Sequence, residues 1–160
     1  MAAITRKIFH IGKLPAGMLA EVATEGVLHR SEFLSVWLRF AGRVPGHRST
    51  ELVRGYGGAL VLTQERVLAT VSSMPWRAGR AVDQPWTAQG PAAVAGTLSK
   101  SGLVLRIEDL SRVDPLFSGA LSLTFQTTLS AEVLWQVPTR DIAFDVSPLF
   151  VYSVLGGPQG

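Results

Sequence analysis

The sequence predicts a mainly β fold, an antiparallel β-sandwich or small barrel carrying a short C-terminal helix. Three observations predict it. Two apolar, β-branched runs, Ala59–Leu62 and Val67–Val71, flank the polar tetrad Thr63-Gln64-Glu65-Arg66, the pattern of a hairpin. Further segments alternate apolar and polar residues with period two, as half-buried strands do. Near the end of the chain, Ser147-Pro148 and Gly156-Gly157 bracket LFVYSVL, a cap, a first-position proline and a terminating glycine.

In chain order, residues 1–13 read as a loosely attached arm or an edge strand. Residues 15–24, PAGMLAEVAT, predict a short helix: Leu14, Met18, Leu19 and Val22 share one face, and Gly26 ends it. The period then becomes two. Val27-Leu28 begin a strand, residues 29–32 form a turn or bulge, and Phe33–Phe40 alternate as a half-buried strand. Residues 41–50 read as a loop centred on Pro45-Gly46. Gly55, Gly57 and Gly58 mark a bulge or a close approach of backbones on the way into the central hairpin. Because both faces of that hairpin are apolar, it belongs in the middle of a sheet or barrel.

Residues 74–92 hold Pro75, Pro85 and Pro91 and read as irregular chain, with one short strand near Ala81-Val82. Val94–Leu98 and Leu103–Ile107 form a second hairpin across residues 99–102, with Gly102 at a left-handed position. Ala120–Thr127 is another alternating strand. Ser130 caps a short helix, AEVLWQV, that Pro138 stops, and Ile142–Val146 makes a last strand. Seven or eight mostly antiparallel strands result, in one β-rich domain spanning residues 1–160.

Composition bounds the function. The chain of 160 residues is 47% apolar and 17% charged, with a mean hydropathy of +0.27. A self-associating surface or an apolar ligand cavity would account for that excess. With no cysteine, disulfides, thiolate–metal sites and thiol catalysis are excluded, and a reducing, cytoplasmic setting is expected. No apolar run reaches the ~20 residues of a membrane span. Residues 1–80 hold 11 Lys and Arg against 5 Asp and Glu, while residues 81–160 hold 4 against 7, so a basic surface region falls in the first half.

The fragment GALVLTQERVLATV, residues 58–71, resembles the hairpin of bacterial pleckstrin-homology-like and GRAM-like domains. In those, a strand ending in Leu-Thr meets a short polar turn, then Arg and an apolar strand. The resemblance covers mainly residues 57–72. It implies two near-orthogonal antiparallel sheets with one end closed by a C-terminal helix, here LFVYSVL or AEVLWQV. It also implies that basic residues of the first strand–loop–strand hold an anionic headgroup. The residues in that place are Arg39, Arg43, His47, Arg48 and Arg54, although the family's Lys…Arg-x-Arg pattern is absent. Guanidinium groups suit phosphate because their planar fork gives paired, charge-assisted bonds. The competing reading is a solvated polar loop.

Other chemistries have weaker support. His10, His29 and His47 lack any metal-ligand spacing, and no cofactor motif is present. Glu108 and Asp109 are adjacent, so a strand would send them to opposite faces. There is no GxSxG, Walker or dinucleotide motif. Trp37, Phe40 and Tyr56 could stack bases beside the arginines, but the modest charge disfavours nucleic acid. Trp76 and Trp86, in proline-broken chain, are expected either to plug the core or to mark an interface or cavity. The expected role is non-catalytic binding, first as a protein-interaction or self-assembly module. Binding of a lipid headgroup or other anionic ligand is the alternative, and an enzyme the third.

Overall fold

A computed structural model describes residue 14, residues 16–74 and residues 77–156. Helix α1 (Ala16–Val22) precedes four strands, β1 (Val27–Val44), β2 (His47–Thr63), β3 (Arg66–Met74) and β4 (Arg77–Pro85). There follow β5 (Val94–Ser99), β6 (Gly102–Ile107), a 3-10 turn (Leu110–Arg112), β7 (Ser118–Gln126), α2 (Ala131–Gln136), β8 (Asp141–Phe144) and α3 (Pro148–Val154). The strands form one sheet in the order β4-β3-β2-β1-β7-β6-β5-β8, every neighbouring pair antiparallel. The sheet curls until it is nearly a closed barrel, and α3 lies against its core. The mainly β, barrel-like architecture and its C-terminal helix are those the sequence predicts. The arm at residues 1–13 lies outside the described residues.

The central hairpin forms as the alternation requires. Leu60 pairs with Ala69 and Leu62 with Val67, and all four face the barrel interior. Ala59, Val61 and Leu68 point the other way, where Leu14 and Val22 cover them, with Met18 and Leu19 packed alongside. The hairpin is apolar on both faces because one face meets the barrel core and the other meets α1.

A polar junction fixes that cover in place. The Arg66 guanidinium donates to both carboxylate oxygens of Glu25, at 3.0 and 2.7 Å, and to Asp83 at 2.9 Å. These carboxylates hold Arg66 well above the usual arginine pKa, with the Glu25 hydrogen bonds contributing most. Thr63 Oγ1 accepts from the backbone N–H groups of Glu65 and Arg66 and donates to Glu25 Oε1 at 3.1 Å. The hairpin turn and the end of α1 are therefore one hydrogen-bonded unit.

Two segments differ from expectation. Residues 41–50 are not a loop: β1 and β2 continue through them and leave only Pro45-Gly46 as the turn. Gly46 sits at φ +85°, and proline followed by a positive-φ glycine is the signature of a type II turn. Residues 77–85 are a nine-residue strand, where irregular chain with a short strand was expected. It is an edge strand with Pro85 as its last residue, a place where a missing N–H costs no ladder bond. The polar stretch 29–32 is a bulge: two residues of β1 oppose one of β2 between Ser31 and Leu34, and Phe33 takes φ +59° there. The glycines of β2 reflect close approach, since a Cβ on Gly58 would lie 2.4 Å from the Thr70 carbonyl oxygen.

Candidate functional site

Alternation and register decide where the arginines point. Along β1, Val36, Leu38 and Phe40 are buried, so Trp37, Arg39 and Ala41 take the outer face. Arg39 pairs with Val53 on β2 and Ser122 on β7. Arg43 and Arg48 pair directly across β1 and β2, one step from the turn, and both are exposed. His47 is half-buried and pairs with Val44 at the end of the hairpin.

Arg54 goes elsewhere. It pairs with the buried Leu38, and its guanidinium donates to the Leu155 carbonyl oxygen at 3.1 Å. Tyr56, two residues on, donates its hydroxyl to the Val154 carbonyl oxygen at 2.7 Å. These two side chains cap the C-terminal end of α3, where carbonyls lack helical partners. The fold thus gathers Arg39, Arg43 and Arg48 on one outer face and uses Arg54 to seat the helix.

Trp86 is buried, and its indole N–H donates to the Thr63 carbonyl oxygen at 2.9 Å, so it closes the core beneath the central turn. Trp76 lies outside the described residues. Asp109 caps the 3-10 turn: its carboxylate accepts from the Ser111 hydroxyl and backbone N–H, and those bonds hold it below the usual carboxylate pKa. Asp145 accepts from the Ala93 N–H at 2.9 Å, and Thr97 donates to Asp141 at 3.2 Å. These acidic groups are spent on backbone and strand ends. No cluster of three metal-ligating side chains occurs among the described residues. No helix among them is long and apolar enough to cross a membrane.

A concavity of about 270 Å³ lies over four adjacent strands, β2, β1, β7 and β6. Arg39, Ala41, Glu51, Arg106, Glu108, Ala120 and Ser122 line it. Its outline follows from register. Arg106, Ser122, Arg39 and Val53 form one row across the strands. Two residues along, Ala120 pairs with Ala41, with Glu108 just past the end of β6 on one side and Glu51, at a register shift of β2, on the other. Small side chains in the middle and long charged ones at the sides make the hollow. Below it, Gly42 and Gly119 face each other: a Cβ on Gly42 would lie 2.1 Å from the Ser118 carbonyl oxygen, and one on Gly119 would lie 2.1 Å from that of Ala41. β1 and β7 therefore cross too closely for any larger residue.

No family model, curated protein or solved structure matches the chain.

Beside the concavity the outer face is apolar. Trp37 is 40% exposed and Val53 47%, and the Trp37 ring lies over Gly55, with its indole N–H donating to Gln126 at 3.2 Å. Leu116, Trp135 and Leu149 are more exposed still but lie on separate elements, as scattered surface apolar residues commonly do. Of the groups around the hollow, sequence spacing brought forward only Arg39. Arg106 and the small floor residues become neighbours of Arg39 only through strand register, and Glu51 and Glu108 line the same hollow.

Proposed function

We propose that this chain is a non-catalytic binding module that works through the part of its outer sheet face that is exposed among the described residues, as a protein-interaction or self-assembly surface. The observation that carries this reading is the exposed Trp37–Val53 pair beside the hollow. The same sheet face is sealed by α1 a few residues farther along β2. Trp is enriched and charge depleted at the centres of protein interfaces. The low charge fraction of 17% supports the reading, as does the likeness of residues 57–72 to a pleckstrin-homology-like scaffold. Sedimentation velocity over a wide concentration range tests it. A dimer or larger species is expected, and Trp37→Ala should weaken it without lowering the unfolding midpoint. A protein that stays monomeric, and whose Trp37→Ala variant matches it in every binding assay, would end this reading.

A second reading rests on Arg43 and Arg48. Like charges placed directly opposite on paired strands repel, and no carboxylate pairs with either among the described residues. A bound anion would relieve that repulsion, so the hairpin tip suits an anionic headgroup or phosphorylated ligand. Vesicles containing acidic phosphatidylserine test it. Binding should fall steeply with salt and vanish in Arg43→Ala/Arg48→Ala, a variant expected to be as stable as the parent or slightly more so. Equal binding by parent and variant would remove this reading.

A further inference from the structure

The charges around the hollow have a pattern that a generic interaction surface does not need. Arg106 and Arg39 stand in one row across β6 and β1, two columns apart with Ser122 between them. Glu108, just past the end of β6, and Glu51, on β2, flank the next step along the strands, where Ala120 pairs with Ala41. All four are exposed, and no ion pair joins any of them to another residue among those described. Rows two residues apart on a strand are separated by about 6.8 Å, and neighbouring strands by about 4.8 Å. At such spacing each row presents a band of one sign.

We infer that the partner of this face is a second copy of the same chain, docked face to face about a two-fold axis that runs across the strands between the two rows. This deepens the self-assembly reading above and rests on it. A two-fold interface is isologous, so the surface must complement itself. Rotation about an axis along the strands would lay arginine on arginine. Rotation about an axis across them exchanges the rows. Arg106 then faces Glu108 of the other copy, and Arg39 faces the neighbourhood of its Glu51. The small floor of Ala41, Ala120 and Ser122 lets the two sheets approach while the long side chains interlock at the rim. Trp37 and Val53, in and beside the arginine row, supply the apolar contact that charge pairing alone lacks.

Charge reversal on the full chain tests this. Arg39→Glu/Arg106→Glu makes the hollow wholly acidic, and Glu51→Arg/Glu108→Arg makes it wholly basic. Each variant alone should dimerise at least about a hundredfold more weakly than the parent, because like charges are brought face to face. Mixed in equal amounts, the two should form a heterodimer, seen by sedimentation with one chain fluorescently labelled. The fourfold swap in a single chain should restore the homodimer. All four residues are exposed, so unfolding midpoints should stay near the parent's. If the parent dimerises and each double variant dimerises equally well, this pairing is wrong while self-assembly stands. If the double variants fail both alone and when mixed, the row exchange is wrong. A monomeric parent would overturn both the pairing and the self-assembly on which it rests.

Discussion

The two halves of β2 belong to one strand and one sheet, yet they live in different surroundings. From Tyr56 to Thr63 every residue is buried, on both faces. From His47 to Gly55 none is fully buried, and Val53 and Arg54 are exposed. The difference lies in what covers the outer face. Past Tyr56, Ala59 and Val61 meet Leu14 and Val22, and the Glu25–Arg66–Asp83 junction ties the end of α1 to the sheet. Before Tyr56, the outer face carries Trp37, Val53 and the charged hollow. Among the described residues one half of a continuous surface is covered and the other is not, and the proposed interaction surface rests on that contrast.

The sharpest way to break the contrast is to put a carboxylate on each half. Val61→Asp should prevent folding or cost several kcal/mol, because Val61 is wholly buried in the apolar cluster it shares with Leu14 and Val22, where a carboxylate loses its hydration. Leu60→Asp, on the barrel side of the same stretch, should do the same. Val53→Asp should change stability by less than about 0.5 kcal/mol. Urea unfolding midpoints decide between these outcomes, and a Val61→Asp protein as stable as Val53→Asp would mean that the cover contributes little.

A smaller loss should follow from loosening the cover at its edge. Arg66→Ala removes the guanidinium that donates to Glu25 and Asp83 and should cost about 2–3 kcal/mol, with Arg66→Lys falling between it and the parent because Lys cannot reproduce the forked contact. Amide hydrogen exchange adds the sharper comparison. Protection of Ala16–Val22 should fall in Arg66→Ala, while Phe40 and Leu38 keep theirs.

The smallest expected effect is a pH dependence at the bulge. His29 is half-buried, and burial lowers its pKa below the usual value. Its ring nitrogen lies 2.6 Å from the Ser31 hydroxyl. A depressed pKa means that the unfolded chain binds the proton more readily. The contribution of His29 is therefore present above about pH 6.5 and is lost as the pH falls through its folded value. The unfolding midpoint should drop between pH 7.5 and 5.5, and His29→Gln should flatten part of that drop.

What the sequence made legible follows from the same physics. The central hairpin was readable because it is apolar on both sides, and α2 and α3 because Ser130, Pro138, Ser147 and Pro148 punctuate them. Residues 41–50 resembled a loop because Val44 alone among them is buried, so a strand with one solvent-facing side carries few apolar residues there. Strand β4 was hidden among prolines that an edge strand tolerates. The hollow was not legible at all. Arg39, Arg106 and Ser122 are neighbours through register, and no local spacing announces that Ser122 lies between the two arginines. Arg54 looked like one more cation of a basic cluster, yet its place on the inward row of β2 gave it the end of α3 to hold.

Strand order also has a consequence for the chain as it is synthesised. Within β1 to β4, and within β5 to β7, each strand pairs with its sequence neighbours; β8 returns to β5, and β1 against β7 joins the two groups, with Ser35 beside Gln126 and Arg43 beside Ser118. While the ribosome is still making the second group, the first can already fold, and the long free edge of β1 then has no neighbour. An unpaired edge is a template for another chain. Until β7 emerges, that edge is open to a neighbouring nascent copy, and the interval should lengthen whenever translation slows between residues 85 and 118.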